Sequence, residues 1–344
     1  HTRFRNVTGV QTCALPIYNV HLTLLSIDNH LFSTSFGSSM NISYLQRASK
    51  LFVLFAFLVS SSLHAQTSKE ILEGREFYFG VPHCDIQSGE GSRGNPIQLW
   101  ISCKVQTRVS VTVPRTGMNI GNYVLQPGKV QILPVPQTLM NTITGITDNG
   151  VYIKADDPIT VTVYVSYKWT GEAYRVIPAE VLGKRYFTLN MYQDKTERER
   201  PAQVLIVGTK DNTIVSFSPK TLTEDGVPAG GSKNYKLMRG QTLLIKAKIQ
   251  PGKDLDWTTD LTGSKITATS PVAVFSGHTK GAFPRFQATM LGIPANFMRN
   301  MMMDAMWPVE FLSKEYFSAP IMYTDRPRAN FDLDSWGDLI RIVA

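Results

Sequence analysis

PAEVLGKRYF at residues 178–187 returns as PVEFLSKEYF at 308–317, with six of ten positions identical, including the Pro, the Glu and the Tyr-Phe pair. A phrase of that length repeated within one chain marks internal duplication, which governs the fold reading before any local propensity does. Other segments recur in the same order around it. GREFYF (74–79) matches GKRYFT (183–188), and RVSVTVP (108–114) matches TIVSFSP (213–219). YVLQPGKVQIL (123–133) matches YKLMRGQTLLI (235–245), and GVYIKADDPITV (150–161) matches GSKITATSPVAV (263–274). The offsets, 105 to 113, set a repeat of about 110 residues. A third copy is expected to begin near KEYF (314–317) and to be cut short at DLIRIVA (338–344).

Within each copy the pattern is period-two. IQLWIS (97–102), RVSVTV (108–113), KVQILPV (129–135), GVYIKA (150–155) and ITVTVYV (159–165) alternate apolar and polar residues and read as strands. Pro127-Gly128, Asp148-Asn149-Gly150 and Asp156-Asp157-Pro158 supply turns between them. Pro158 and Pro271 are expected just before a strand, because a proline cannot donate to a sheet ladder. Strands at this spacing without long amphipathic helices predict an all-β fold of tandem β-sandwich repeats, the third truncated.

Residues 1–39 contain no methionine and include VTGVQTCALPI (7–17), which reads as adapter-derived read-through. From Met40 the chain reads as a signal peptide to residue 65: Arg47 and Lys50, then the apolar LFVLFAFLV (51–59), then the small-residue exit SSSLHA. Nine apolar residues are too few to span a bilayer, which takes about 20. The expected division is therefore 66–182 for the first unit, 183–300 for the second and 301–344 for the start of a third, with export to the medium or cell surface and continuation into further domains.

From Gln66 onward there are 31 basic and 26 acidic residues, scattered among strands. That distribution lacks the clustered basic face with aromatic platforms that nucleic-acid binding uses. DKTERER (194–200) mixes both signs and reads as a solvated loop. Cys84 and Cys103 are candidates for a disulfide in an exported chain, the alternative being two buried thiols.

Catalytic signatures are sparse. The exported part has two histidines, His83 and His278, with no HExxH or CxxC spacing, so no metal or cofactor is expected. His278 reads as a structural residue at a strand end, and Ser276 lacks a Gly-x-Ser-x-Gly context. Glu180 and Glu310 recur at one repeat position, which favours a fold-supporting role over a hydrolytic carboxylate pair. DLDSWGD (332–338) resembles a calcium loop but misses its glycine and terminal glutamate. In FMRNMMMDAM (297–306), Met298, Met302 and Met306 are expected to line one face of a short helix as packing, although Met-rich loops also bind soft metals. Trp169 and Tyr174, between strands, are candidate platforms for a sugar ring or a partner side chain.

GTKDNTIVSFSP (208–219), LMRGQTLL (237–244) and above all DLTGSKITATSPVAVFSGH (260–278) resemble bacterial members of the IgGFc-binding protein N-terminal domain family. The resemblance covers most of 74–344 and implies an exported or surface β-rich module of an adhesive or mucin-like protein. Relatives carry a Cys after the Ser-Gly-His step; here Thr279-Lys280-Gly281-Ala282 follow instead. The expected function is thus non-enzymatic adhesion or ligand binding, with an extracellular protein or glycan as partner. A carbohydrate-binding module of a glycan-degrading system, or a hydrolase, is the alternative.

Overall fold

Alternating burial makes the first half a β structure wrapped around an apolar interior. Ile97, Leu99 and Ile101 point inward, as do Val109, Val111 and Val113, and Val161, Val163 and Val165, each separated by a residue in contact with solvent. The computed structural model describes residues 72–86, 94–168, 170–195, 199–253, 256–282 and 299–313, and all of these fall in one compact unit. The architecture is all-β and sandwich-like, as the sequence pattern predicts. The segments expected to be read-through and signal peptide, Trp169, and the stretch from 314 to 344 lie outside the described residues.

The strands of the first half are β1 (Gly74–Phe79), β2 (Ile97–Cys103), β3 (Thr107–Val113), β4 (Met118–Leu125), β5 (Gln131–Pro134), β6 (Gly145–Thr147), β7 (Val151–Ser166) and β8 (Gly171–Arg175). The second half holds β9 (Arg185–Phe187), β10 (Asp194–Lys195), β11 (Glu199–Arg200), β12 (Ala202–Gly208), β13 (Thr213–Ser218), β14 (Lys233–Leu237), β15 (Thr242–Lys246), β16 (Lys265–Ala268), β17 (Val272–Ala282) and β18 (Arg299–Ala305). All ladders between these strands are antiparallel.

Long β7 organises the first half. Its early residues pair with β1 and β3, and its later ones with β2 and β8. The ladder to β1 skips between Gly74 and Glu76, opposite the stretch that contains Asp157 and Pro158. Pro158 therefore sits inside a strand at a bulge, not ahead of one as its sequence context suggested; a bulge tolerates the missing donor. In the second half two strands do this work. β16 pairs with β13 and β9, and β17 pairs with β12 and β18, with Pro271 in the break between them.

The two halves share more than strand order. Trp100 lies opposite Thr162 and Ile132, and Leu205 lies opposite Phe275 and Leu244. Thr162 lies opposite Arg175, and Phe275 opposite Ala305. Likewise Phe77 pairs with Ile153, and Tyr186 with Ile266.

The sheet β18-β17-β12-β15-β6 is covered on both faces. Val204, Ile206, Leu243 and Ile245 enter the second-half core with Tyr186, Phe217 and Ile266. Leu205, Val207, Leu244 and Phe275 enter the first-half core with Phe77, Phe79 and Tyr174. All seven residues of β12 are consequently buried, which explains why AQVLIVG shows no polar alternation. β6, a first-half strand, extends this sheet by pairing with β15.

The repeated Pro-x-Glu phrase folds as a 3-10 turn that closes each half upon its own beginning. Glu180 Oε1 accepts from the Arg75 amide at 3.2 Å. A Cβ on Gly74 would meet the Pro178 ring carbon at 2.4 Å. In the second half the Arg185 guanidinium donates to Glu310 Oε1 at 3.0 Å, and a Cβ on Gly183 would stand 2.3 Å from Pro308. Glycine is needed at both places by close approach.

The methionine stretch is a strand. In β18, Met301, Met303 and Ala305 are buried while Asn300 is exposed, so Met302 stands in a period-two strand and not on the expected helical face; Met298 lies outside the described residues. Packing of the methionine side chains survives the change. The strand carries residues 299–305 into the sheet beside β17.

Candidate functional site

Chemistry-bearing side chains gather in two places, one buried and one open. The buried one is a seam of charges between the halves. Arg200 pairs with Asp85 at 3.0 Å and Arg299 with Asp194 at 2.7 Å, with all four side chains almost wholly out of solvent. Asp194 and Arg200 face each other in the short β10–β11 hairpin. DKTERER is thus not simply a solvated loop: its first acid and its last arginine are interior groups. Buried ion pairs add little net stability but are costly to break.

His278 lies beside them, inside β17 and opposite Ala202 and Met302. Burial pushes its pKa down to about 4, against the pull of Asp194 and with the Arg200 charge adding to the depression. Its Nδ1 accepts from the Lys280 amide at 3.1 Å, which fits a neutral imidazole with a structural part. Ser276 Oγ donates to the Leu189 carbonyl and bonds Asn190 at 3.0 Å each, so it too serves the fold. At the contact of β8 with β18, burial raises Glu172 to about 7 and Asp304 to about 6, and the Asp304 charge adds to the rise at Glu172. Among the described residues no group of three metal-ligating side chains converges.

Cys84 and Cys103 are both buried, and no disulfide joins them. Cys103 stands opposite Ile159, whereas the Cys84 thiol acts electrostatically on Tyr167. Cys84 instead helps line a cavity of about 350 Å³ with His83, Met140 and Thr142.

Tyr174 is not a platform. Its ring is buried against Phe275, centroids 5.4 Å apart, and its hydroxyl donates to the Gly80 carbonyl at 3.1 Å. β8 points Tyr174 inward and Arg175 outward.

The open place is the outer surface of β5-β2-β7-β8. Trp100 is 39% exposed, and Ile132, opposite it, is 49% exposed. The Trp100 and Tyr164 rings are 5.3 Å apart and tilted by 47°, forming a shallow wedge. Trp100 Nε1 donates to Gln98 Oε1 at 2.9 Å, which fixes the indole on the sheet. Thr162 and then exposed Arg175 continue the row away from Ile132. Backbone ladders on both sides of β2 and β7 hold the wedge rigid.

Sequence reasoning did not single out Trp100 or Tyr164. The signal was present: in IQLWIS and ITVTVYV both stand on the polar phase of the alternation, where a large aromatic has no core to fill. The face is suited to contact, since amphipathic rings supply area with little entropy loss. It offers no nucleophile with an adjacent base.

A family model described as IgGFc binding protein matches residues 172–344, half of the chain. The human IgGFc-binding protein is 27% identical over 188 residues, which is 53% of this chain and 3% of the human protein's length. No solved structure matches. The matched region starts at β8 and takes in the whole second half, including the SPVAVFSGH strand on which the resemblance in sequence rests. The chain belongs to the IgGFc-binding protein family, as a small β-rich part of the length its human relative reaches.

Proposed function

We propose that the protein is an exported, non-enzymatic binding module that acts in adhesion at the cell surface, built from two β units with a division near 182/183 and a third unit further on. The observation that carries this reading is the exposed Trp100–Tyr164 wedge on a rigid sheet. Family membership supports a binding role, and the human relative's name points to an extracellular protein ligand. A protein side chain fits a wedge tilted by 47° better than a flat sugar ring, which favours coplanar aromatics.

The test uses two probes, immobilised immunoglobulin Fc fragment and an array of extracellular glycans. Saturable binding to the Fc fragment, reduced at least about tenfold by Trp100→Ala with the fold unchanged, supports the reading; tenfold corresponds to about 1.4 kcal/mol. Binding that survives Trp100→Ala undiminished places the ligand elsewhere. Glycan binding alone would turn the assignment to a carbohydrate-binding module.

A further inference from the structure

Strand β8 of the first half and strand β18 of the second lie against each other, yet among the described residues no backbone ladder joins them. Each strand has its inner edge paired. The Val176 amide, just past β8, donates to the Val161 carbonyl of β7, and the Met306 amide, just past β18, to the Val274 carbonyl of β17. Alternation along the strands then turns the amides of Gly171 and Ala173, and of Met301, Met303 and Ala305, toward the joint. Every one of the five ends on a side chain. Asn300 Oδ1 accepts from Gly171 at 2.7 Å, and Thr170 Oγ1 accepts from Met301 at 2.7 Å while donating to Asn300 Oδ1 at 3.0 Å. Glu172 Oε1 accepts from Ala173 at 2.9 Å, and the same carboxyl group takes the Met303 amide. Asp304 Oδ1 accepts from Ala305 at 2.8 Å.

The joint thus depends on two carboxyl groups, one from each half. Glu172 binds an edge amide of both strands and so bridges them, and Asp304 is the charge that acts on it. Among the described residues the groups around the pair supply no countercharge. On β8, burial keeps Tyr174 protonated, and Arg175 points outward. On β7, Val165 stands opposite Glu172, with Tyr164 turned to the Trp100 ring. On β17, Ser276 stands opposite Asp304 and bonds Leu189 and Asn190, while the neutral His278 lies opposite Met302. Arg299, on β18 itself, is bonded to Asp194.

We propose that this joint is a proton-operated latch: the halves stay docked along β8 and β18 while Glu172 and Asp304 are protonated, and part there once both carry charge. Two buried carboxylates that act on each other repel, and neither has a cation to offset the repulsion. Burial holds Glu172 at about 7 and Asp304 at about 6, above their ordinary 4.5 and 3.8. The docked state therefore binds protons more tightly than the parted one. Docking is full in acid and is lost as pH rises through 6 and then 7. Parting is local, because the ladders of β8 with β7 and of β18 with β17 are left intact. It uncovers two strand edges, the places where a further strand can add.

Amide hydrogen exchange of the full chain, read at pH 5.5 and pH 8 and corrected for the intrinsic rise of exchange with pH, tests this. Protection of Gly171, Ala173, Met301, Met303 and Ala305 is expected to fall about tenfold or more at pH 8. Protection of Leu205 and Leu244, in the sealed sheet, is expected to stay level. Glu172→Gln keeps an oxygen for the two amides without the charge, and should hold protection at the joint level across the range. Asp304→Asn removes the repulsion and should shrink the loss. Wild-type protection indifferent to pH, an undiminished pH dependence in Glu172→Gln, or a loss shared equally by Leu205 and Leu244 overturns the proposal. Equal loss of protection at both pH values in Glu172→Gln marks a structural role and overturns it too. Should Glu172→Gln fail to fold, Asp304→Asn decides: a loss as large as that of wild type ends the latch.

Discussion

Two sheet faces of the same register have opposite fates: the one around Leu205 is sealed, and the one around Trp100 is open. Their composition follows their fate. At the four matched ladder places the sealed face carries Leu205, Leu244, Phe275 and Ala305, while the open face carries Trp100, Ile132, Thr162 and Arg175. The backbone is thus neutral about function, and what separates a core layer from a contact surface is a handful of outward side chains and the presence of a neighbour.

The strongest way to break this contrast is to place the same charge on both faces. Leu205→Asp puts an unpaired carboxylate between two sheets and is expected to cost more than about 4 kcal/mol, enough to unfold the protein. Trp100→Asp on the open face is expected to change stability by no more than about 0.5 kcal/mol in urea unfolding. Equal effects would show that the Trp100 face is covered in solution too. Next comes the buried charge seam: Arg299→Ala leaves Asp194 without its arginine and is expected to cost about 3–5 kcal/mol by the same measurement. Gly80→Ala, which presses a methyl group toward Leu205 and Thr242, is expected to cost about 1–3 kcal/mol and to loosen the seal selectively.

A smaller, pH-dependent effect comes from Glu172. Its pKa is raised by burial to about 7 from an ordinary 4.5, so the folded state holds the proton more tightly than the unfolded chain. Its contribution is fully present below about pH 4.5 and is lost as pH rises through 7. Glu172→Gln should therefore raise the melting temperature at pH 8 relative to wild type and flatten its fall between pH 5 and 8. His278 works in the opposite sense, losing its contribution as pH drops from 6.5 through about 4. Smallest of all, Glu310→Gln removes an exposed pair with Arg185 and is expected to cost roughly 0.2–1 kcal/mol.

The fold was legible because its alternation is uninterrupted and because matched segments lie in the same order. Val109, Val111 and Val113 face inward as their spacing requires. The sealed sheet was harder to read, since a strand buried on both faces loses the period that identifies it. The methionines of β18 misled because their spacing suits one face of a helix, and only pairing with β17 decides for the strand. Site prediction looked between strands, to Trp169 and Tyr174. Tyr174 turned inward because β8 puts it on the core phase. The wedge was instead written into two strands, as aromatics out of phase with their neighbours. Cys84 and Cys103 are separate buried thiols, which spacing in sequence does not encode.

The Pro-x-Glu turn that pins the end of each half to its own start has a mechanical consequence. In each half the entering segment at Gly74 or Gly183 and the leaving turn at Pro178 or Pro308 touch directly. Tension passing along the chain therefore meets the clasp first and crosses from entry to exit over one proline ring and one glutamate. Under force applied at the chain ends that fastener is expected to open before the core strands, which a pulling measurement would read as an early, separate extension step.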